Sequence, residues 1–74
     1  MDDISVTIGK RLRLLREELG LSVRDVEAKT GVPKSTVGLY ENGEVDQKIK
    51  VLKTLASFYN EDIEWVIVLT DKRR

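Results

Sequence analysis

The stretch SVRDVEAKTGVPKSTVGLYENG, running from Ser22 to Gly43, decides how this chain is read. Ser22 and Asp25 stand at the spacing of a capping box, in which hydroxyl and carboxylate each satisfy a free N–H group at a helix start. Leu21 before the cap and Val26 after it are spaced for the hydrophobic staple that sets the entry angle. This helix lasts only to Thr30, because Gly31 follows and glycine accepts the left-handed backbone of a helix end. Val32 and Pro33 complete a tight connection, and Pro33 suits a first helical position, where its missing N–H costs nothing. A second short helix is predicted over about Lys34 to Glu41, stopping at Asn42 and Gly43.

Working outward, Ile8, Leu12, Leu15 and Leu19 follow the i, i+4, i+7, i+11 spacing of one apolar helical stripe. Lys10, Arg11, Arg13, Arg16, Glu17 and Glu18 occupy the remaining surface, and Gly20 is a natural stop. A first helix is therefore predicted from Ser5 or Thr7 to Leu19. On the other side, Glu44 to Gln47 form a polar link with Asp46 as the expected N-cap. Ile49, Leu52, Leu55, Ala56 and Tyr59 trace the buried stripe of a fourth helix, which Asn60 ends. Asp62 can cap a fifth segment, Ile63 to about Leu69, whose apolar groups cover most of a helical circumference. Such a helix is buried or meets a partner. The reading favoured here is a homodimer surface centred on Trp65, with Val66, Val68 and Leu69, since exposed apolar patches mark interfaces. The alternatives are a helix lying partly over the core, or a short strand, because Val66-Ile67-Val68 is strand-prone.

Seventy-four residues make one domain, 1–74, with its core over 5–69 and a short basic tail at 71–74. A chain of this size buries only about 60% of its unfolded surface, so helix packing or a partner subunit must supply stability. There is no Cys, which excludes a disulfide, and no His, which removes the usual general base and the commonest metal ligand. Nor is there a glycine-rich phosphate loop. No catalytic residue, metal or cofactor is expected, and the chain is read as not an enzyme. No apolar run approaches the ~20 residues of a membrane span. The acidic start lacks the pattern of a signal peptide, so a soluble cytoplasmic protein is expected. Thirteen Lys and Arg balance thirteen Asp and Glu. Nucleic-acid binders are often basic, yet a local basic face is compatible with neutrality.

Two short helices joined by a glycine-containing turn form the helix-turn-helix arrangement, whose second helix lies in the major groove of DNA. Val26 and Val37 are placed to form the contact between the two helices. From Ile8 to Val66 the chain resembles the Cro/repressor-type helix-turn-helix family. The matching residues are Ile8-Gly9-Lys10-Arg11-Leu12, Leu19-Gly20-Leu21-Ser22, Thr30-Gly31-Val32-Pro33-Lys34-Ser35-Thr36-Val37 and Tyr40-Glu41-Asn42-Gly43, with Ile49, Leu52, Leu55 and Ala56 beyond them. The resemblance implies an all-α, compact five-helix, lambda-repressor-like domain that binds double-stranded operator DNA, usually as a dimer. It implies base contacts from Lys34, Ser35, Gly38 and Leu39, and phosphate contacts from Ser22, Val23, Arg24, Thr36 and Asn42. It also implies a structural pair between Arg16 and Glu41.

Five positions depart from the family pattern. Leu39 stands where relatives carry a polar residue; on DNA it would touch a thymine methyl. Glu27 replaces an alanine and is expected to accept from free N–H groups at the start of the following helix. Val23 replaces a glutamine and leaves only backbone N–H groups for a phosphate. Glu44 and Asp46 would repel phosphates, with Lys48, Lys50, Lys53 and the tail from Asp71 to Arg74 as candidates to compensate. The expected function is a sequence-specific transcriptional regulator, a repressor by family habit. The alternative is a protein-interaction module on the same fold, with Leu39 facing a regulatory partner protein.

Overall fold

The computed structural model describes residues 3–73, in which five helices follow one another: α1 (Ile4–Glu18), α2 (Val23–Thr30), α3 (Lys34–Asn42), α4 (Ile49–Phe58) and α5 (Ile63–Val66). There is no strand among the described residues. The Asp3 carboxylate accepts from the Ser5 N–H at 2.9 Å, so α1 begins at Ile4, earlier than the apolar stripe alone predicts. Ile8, Leu12 and Leu15 of that stripe are buried, whereas Leu19, expected to continue it, is 56% exposed.

α1 meets α3 backbone to backbone. A Cβ on Gly9 would lie 2.3 Å from the Glu41 carbonyl oxygen and 2.6 Å from that of Tyr40. At the far end of α3, Gly43 has φ +68°, and a Cβ there would come within 2.9 Å of Val6 Cα. Two glycines thus allow an approach that any side chain would block. Around this contact, Leu12, Val26, Val37, Leu55 and Val66 are the largest fully buried side chains.

The link to α4 is tied down by one amide. Gln47 Nε2 donates to the Ser5 and Tyr40 carbonyls, each at 2.8 Å, and the Lys48 N–H donates to the Tyr40 hydroxyl at 2.9 Å. These bonds fix the chain up to Lys48, which takes the N-cap position expected of Asp46.

The end of the chain corrects two expectations. α5 stops at Val66 rather than near Leu69, and it packs against α4 and α1. Trp65 is 5% exposed and Val66 0%, so both belong to the interior of this protomer and cannot centre a dimer surface. Trp65 and Val66 of the short helix fill its own core, Ile63 packs partly against it, and Glu64 faces outward. Val68 is half-buried at φ +67°, and Leu69 remains 71% exposed.

In the described part of the tail, Arg73 is not free. Arg73 reaches back to Glu18 at 2.7 and 2.8 Å and to Glu61 at 3.0 Å. These bonds raise the Arg73 guanidinium above its ordinary pKa and lower that of the Glu18 carboxyl. Asp71 pairs with Arg11 at 3.2 Å. Arg74, part of the expected tail, lies outside the described residues, as do Met1 and Asp2. Among the described residues no helix is long and apolar enough to cross a membrane.

Candidate nucleic-acid interface

At the start of α2 the capping box closes in both directions. The Asp25 N–H donates to Ser22 Oγ at 3.1 Å, and the Ser22 N–H donates to Asp25 Oδ2 at 2.8 Å. The backbone bond from Ser22 holds the Asp25 carboxyl below its ordinary value of 3.8. Arg24 is exposed here, while the Val23 side chain packs inward against the core.

The turn that follows is built by Thr30 and Gly31. The Thr30 hydroxyl donates to the Val26 carbonyl at 2.7 Å and accepts from the Val32 N–H at 3.1 Å. Gly31 takes φ +79°, in the left-handed region that glycine enters without steric cost. Pro33 is the N-cap of α3 rather than its first residue, at φ −55° and ψ 140°, and offers no capping side chain. Glu27 fills that role from α2, its Oε2 accepting from the Lys34 N–H at 3.1 Å.

α3 is then locked from beneath. Arg16 Nε and Nη2 donate to the two Glu41 carboxylate oxygens at 2.7 and 2.9 Å, and Arg16 Nη1 donates to the Leu21 carbonyl at 2.7 Å. Their side chains are 14% and 5% exposed, and the hydrogen bonds to Glu41 raise the Arg16 guanidinium above its ordinary pKa. One arginine thereby joins α1, the start of α2 and the end of α3. Burial, with the Glu41 charge second, pushes the Tyr59 hydroxyl up to about 12, so this ring stays neutral beneath the pair.

What α3 leaves outside is short and mixed in character. Lys34, Ser35, Leu39 and Asn42 are exposed, and Thr36 and Gly38 are half-buried. Lys34, Ser35, Gly38 and Leu39 recur at i, i+1, i+4 and i+5, which groups them on one side of a helix. Nothing lies within 4 Å of the point where a Gly38 Cβ would be. Beyond α3, Glu44 and Asp46 are exposed in the loop, as are Lys48, Lys50 and Lys53 at and along α4.

Sequence reasoning missed the parts that hold this face in place. Gly9 carried a usable signal: a mid-helix glycine costs about 1 kcal/mol relative to alanine, so it marks a close approach. Gln47 carried none, because a glutamine in a polar link looks like any solvated residue.

The profile of the helix-turn-helix family matches residues 12–66. A protein of Pyrobaculum aerophilum named as an HTH-type transcriptional regulatory protein is 36% identical over 55 residues, covering 74% of this chain and 22% of that protein. One of Methanocorpusculum labreanum, named in the same way, is 37% identical over 54 residues, covering 73% of this chain and 17% of that protein. The chain spans about a fifth of the length of these curated relatives. No solved structure gives a significant match. The family match runs from the middle of α1 through the last residue of α5, across the whole two-helix unit, and the chain belongs to the helix-turn-helix family.

Proposed function

We propose that this chain is the sequence-specific DNA-binding unit of a transcriptional regulator, with the outer side of α3 in the major groove. The observation that carries the reading is Gly38. It weakens a nine-residue helix, yet open space surrounds the position of its missing Cβ, so no packing inside the protomer explains it. Close approach of an outside surface does. Lys34 at the helix start then meets a phosphate or a guanine edge, Ser35 bonds with little discrimination, and Leu39 contacts a thymine methyl. Phosphates are held at the start of α2 by the Ser22 hydroxyl, whose hydrogen the capping box leaves free, and by the Val23 backbone N–H, then by Arg24, and by Thr36 and Asn42.

Two copies on half-sites one turn apart place their recognition helices about 34 Å apart. With Trp65 and Val66 interior, Leu69 and the half-buried Val68 are what the α5 end offers a second copy. Occupancy of an operator that excludes polymerase makes the regulator a repressor. Glu44 and Asp46 oppose the phosphates, so affinity is moderate and leans on pairing of copies.

Selection from random duplexes, followed by salt-titrated binding, tests the reading. Leu39→Ala changes which sequences are selected. Arg24→Ala weakens all of them alike and reduces the salt slope by about 1. A protein-interaction role has one observation in its favour, the 39% exposure of Leu39. Absence of duplex binding even at low salt would favour that role instead.

A further inference from the structure

Glu18, Glu61 and Trp65 surround the guanidinium of Arg73. Nη1 and Nη2 bond to the two Glu18 carboxylate oxygens at 2.8 and 2.7 Å, and Nε bonds to Glu61 Oε1 at 3.0 Å. The guanidinium carbon lies 4.9 Å from the centre of the Trp65 ring, within cation–π range. The Glu61 side chain is only 4% exposed, so this carboxylate is built into the protein, whereas Glu18 stands at the rim at 43%. A fork of parallel donors facing a carboxylate, a third donor on a buried acid and an indole beneath suit a planar guanidinium. An ammonium group offers neither the fork nor the flat face.

The segment after α5 begins against the core, where Ile67 and Val68 pack and the Leu69 N–H donates to the Glu64 carbonyl at 2.8 Å, and becomes exposed beyond it. Val68 is a β-branched residue at φ +67°, a backbone conformation such residues rarely adopt. Leu69 is 71% exposed, and 71–73 are exposed without helical structure. The side-chain grip on 70–73 comes from Arg11, which bonds to the carbonyls of Trp65 and Thr70 and to Asp71, and from Arg73. We infer that Glu18, Glu61 and Trp65 form a guanidinium-selective site whose resident ligand is Arg73, and that this recognition latches the segment 67–73 onto α1. The site is separate from the outward side of α3 and does not depend on DNA binding.

Trp65 is the only tryptophan of the chain, and its ring meets both Arg73 and, at 4.7 Å, Arg11, so a change of emission on altering Arg73 is read against an Arg11 contact that stays in place. The test uses the full chain carrying Arg73→Ala, with thermal melting and Trp65 emission as readouts. Arg73→Ala lowers the melting temperature by about 4–8 °C and shifts the emission. Tens of millimolar methylguanidinium restore part of both in Arg73→Ala, while methylammonium at equal ionic strength restores neither. The unmodified chain, its site already filled, gains nothing from either cation. Glu18→Gln combined with Arg73→Ala abolishes the rescue. Arg73→Lys melts with Arg73→Ala rather than with the unmodified chain. Equal responses to the two cations, or full stability of Arg73→Lys, would overturn the inference and reduce the contact to an ordinary surface ion pair.

Discussion

α2 and α3 take their form from residues close by in sequence, whereas α5 and the residues after it take theirs from α1, some fifty positions earlier. In the first region, Ser22 and Asp25 begin a helix, Thr30 and Gly31 end it, and Pro33 with Glu27 starts the next, all within a dozen residues. In the second, Asp62 supplies no side-chain capping bond, and order comes from Arg11, Glu18 and the gap that Trp65 fills. A helix that must present one side to a partner is best specified locally, because its outer residues are then free of packing duties. An apolar run can look like a partner surface and still supply monomer core, as Trp65 and Val66 do.

The contrast can be broken at several points. The largest effect is expected from Trp65→Ala, which empties a core position and lowers stability by about 3–5 kcal/mol in denaturant titration. A loss of self-association with no loss of stability would restore the dimer-surface reading. Gly9→Ala should cost about 3 kcal/mol, near the upper end for overpacking, because the new methyl meets the backbone of α3 and not a flexible side chain. Stability equal to the parent would show that α1 and α3 do not touch there. Ser22→Ala removes one local cap and should cost about 1 kcal/mol, read by the same titration. Leu69→Ser is expected to change stability by no more than about 0.5 kcal/mol, since the side chain is mostly in solvent. A larger drop would place Leu69 in the core with Trp65.

The two regions also differ in how far the residues alone reveal them. The cap, the turn and the stop of α2 were legible because Ser, Asp, Gly and Pro act on their own backbone. The bond from Glu27 to the start of α3 was legible for a related reason: a half-buried carboxylate needs donors, and a helix start offers them. The bidentate contact of Arg16 with Glu41 was suggested only by family likeness, since nothing in the spacing of two distant charges singles them out. Trp65 was misplaced because periodicity states which faces are apolar but not what covers them. Arg73 reads from the residues alone as part of a basic tail available to phosphates, because its partners, Glu18 and Glu61, converge only once α1 and the turn before α5 have docked.

The central claim is that an outside surface needs the space beside Gly38, and Gly38→Ala tests it most directly by measuring stability and duplex affinity on one protein. The account predicts opposite changes: stability rises by about 1 kcal/mol, because alanine is the better helix former and the site is open, while affinity for a selected duplex falls. A variant that is more stable and binds the same duplex as tightly as before would contradict it.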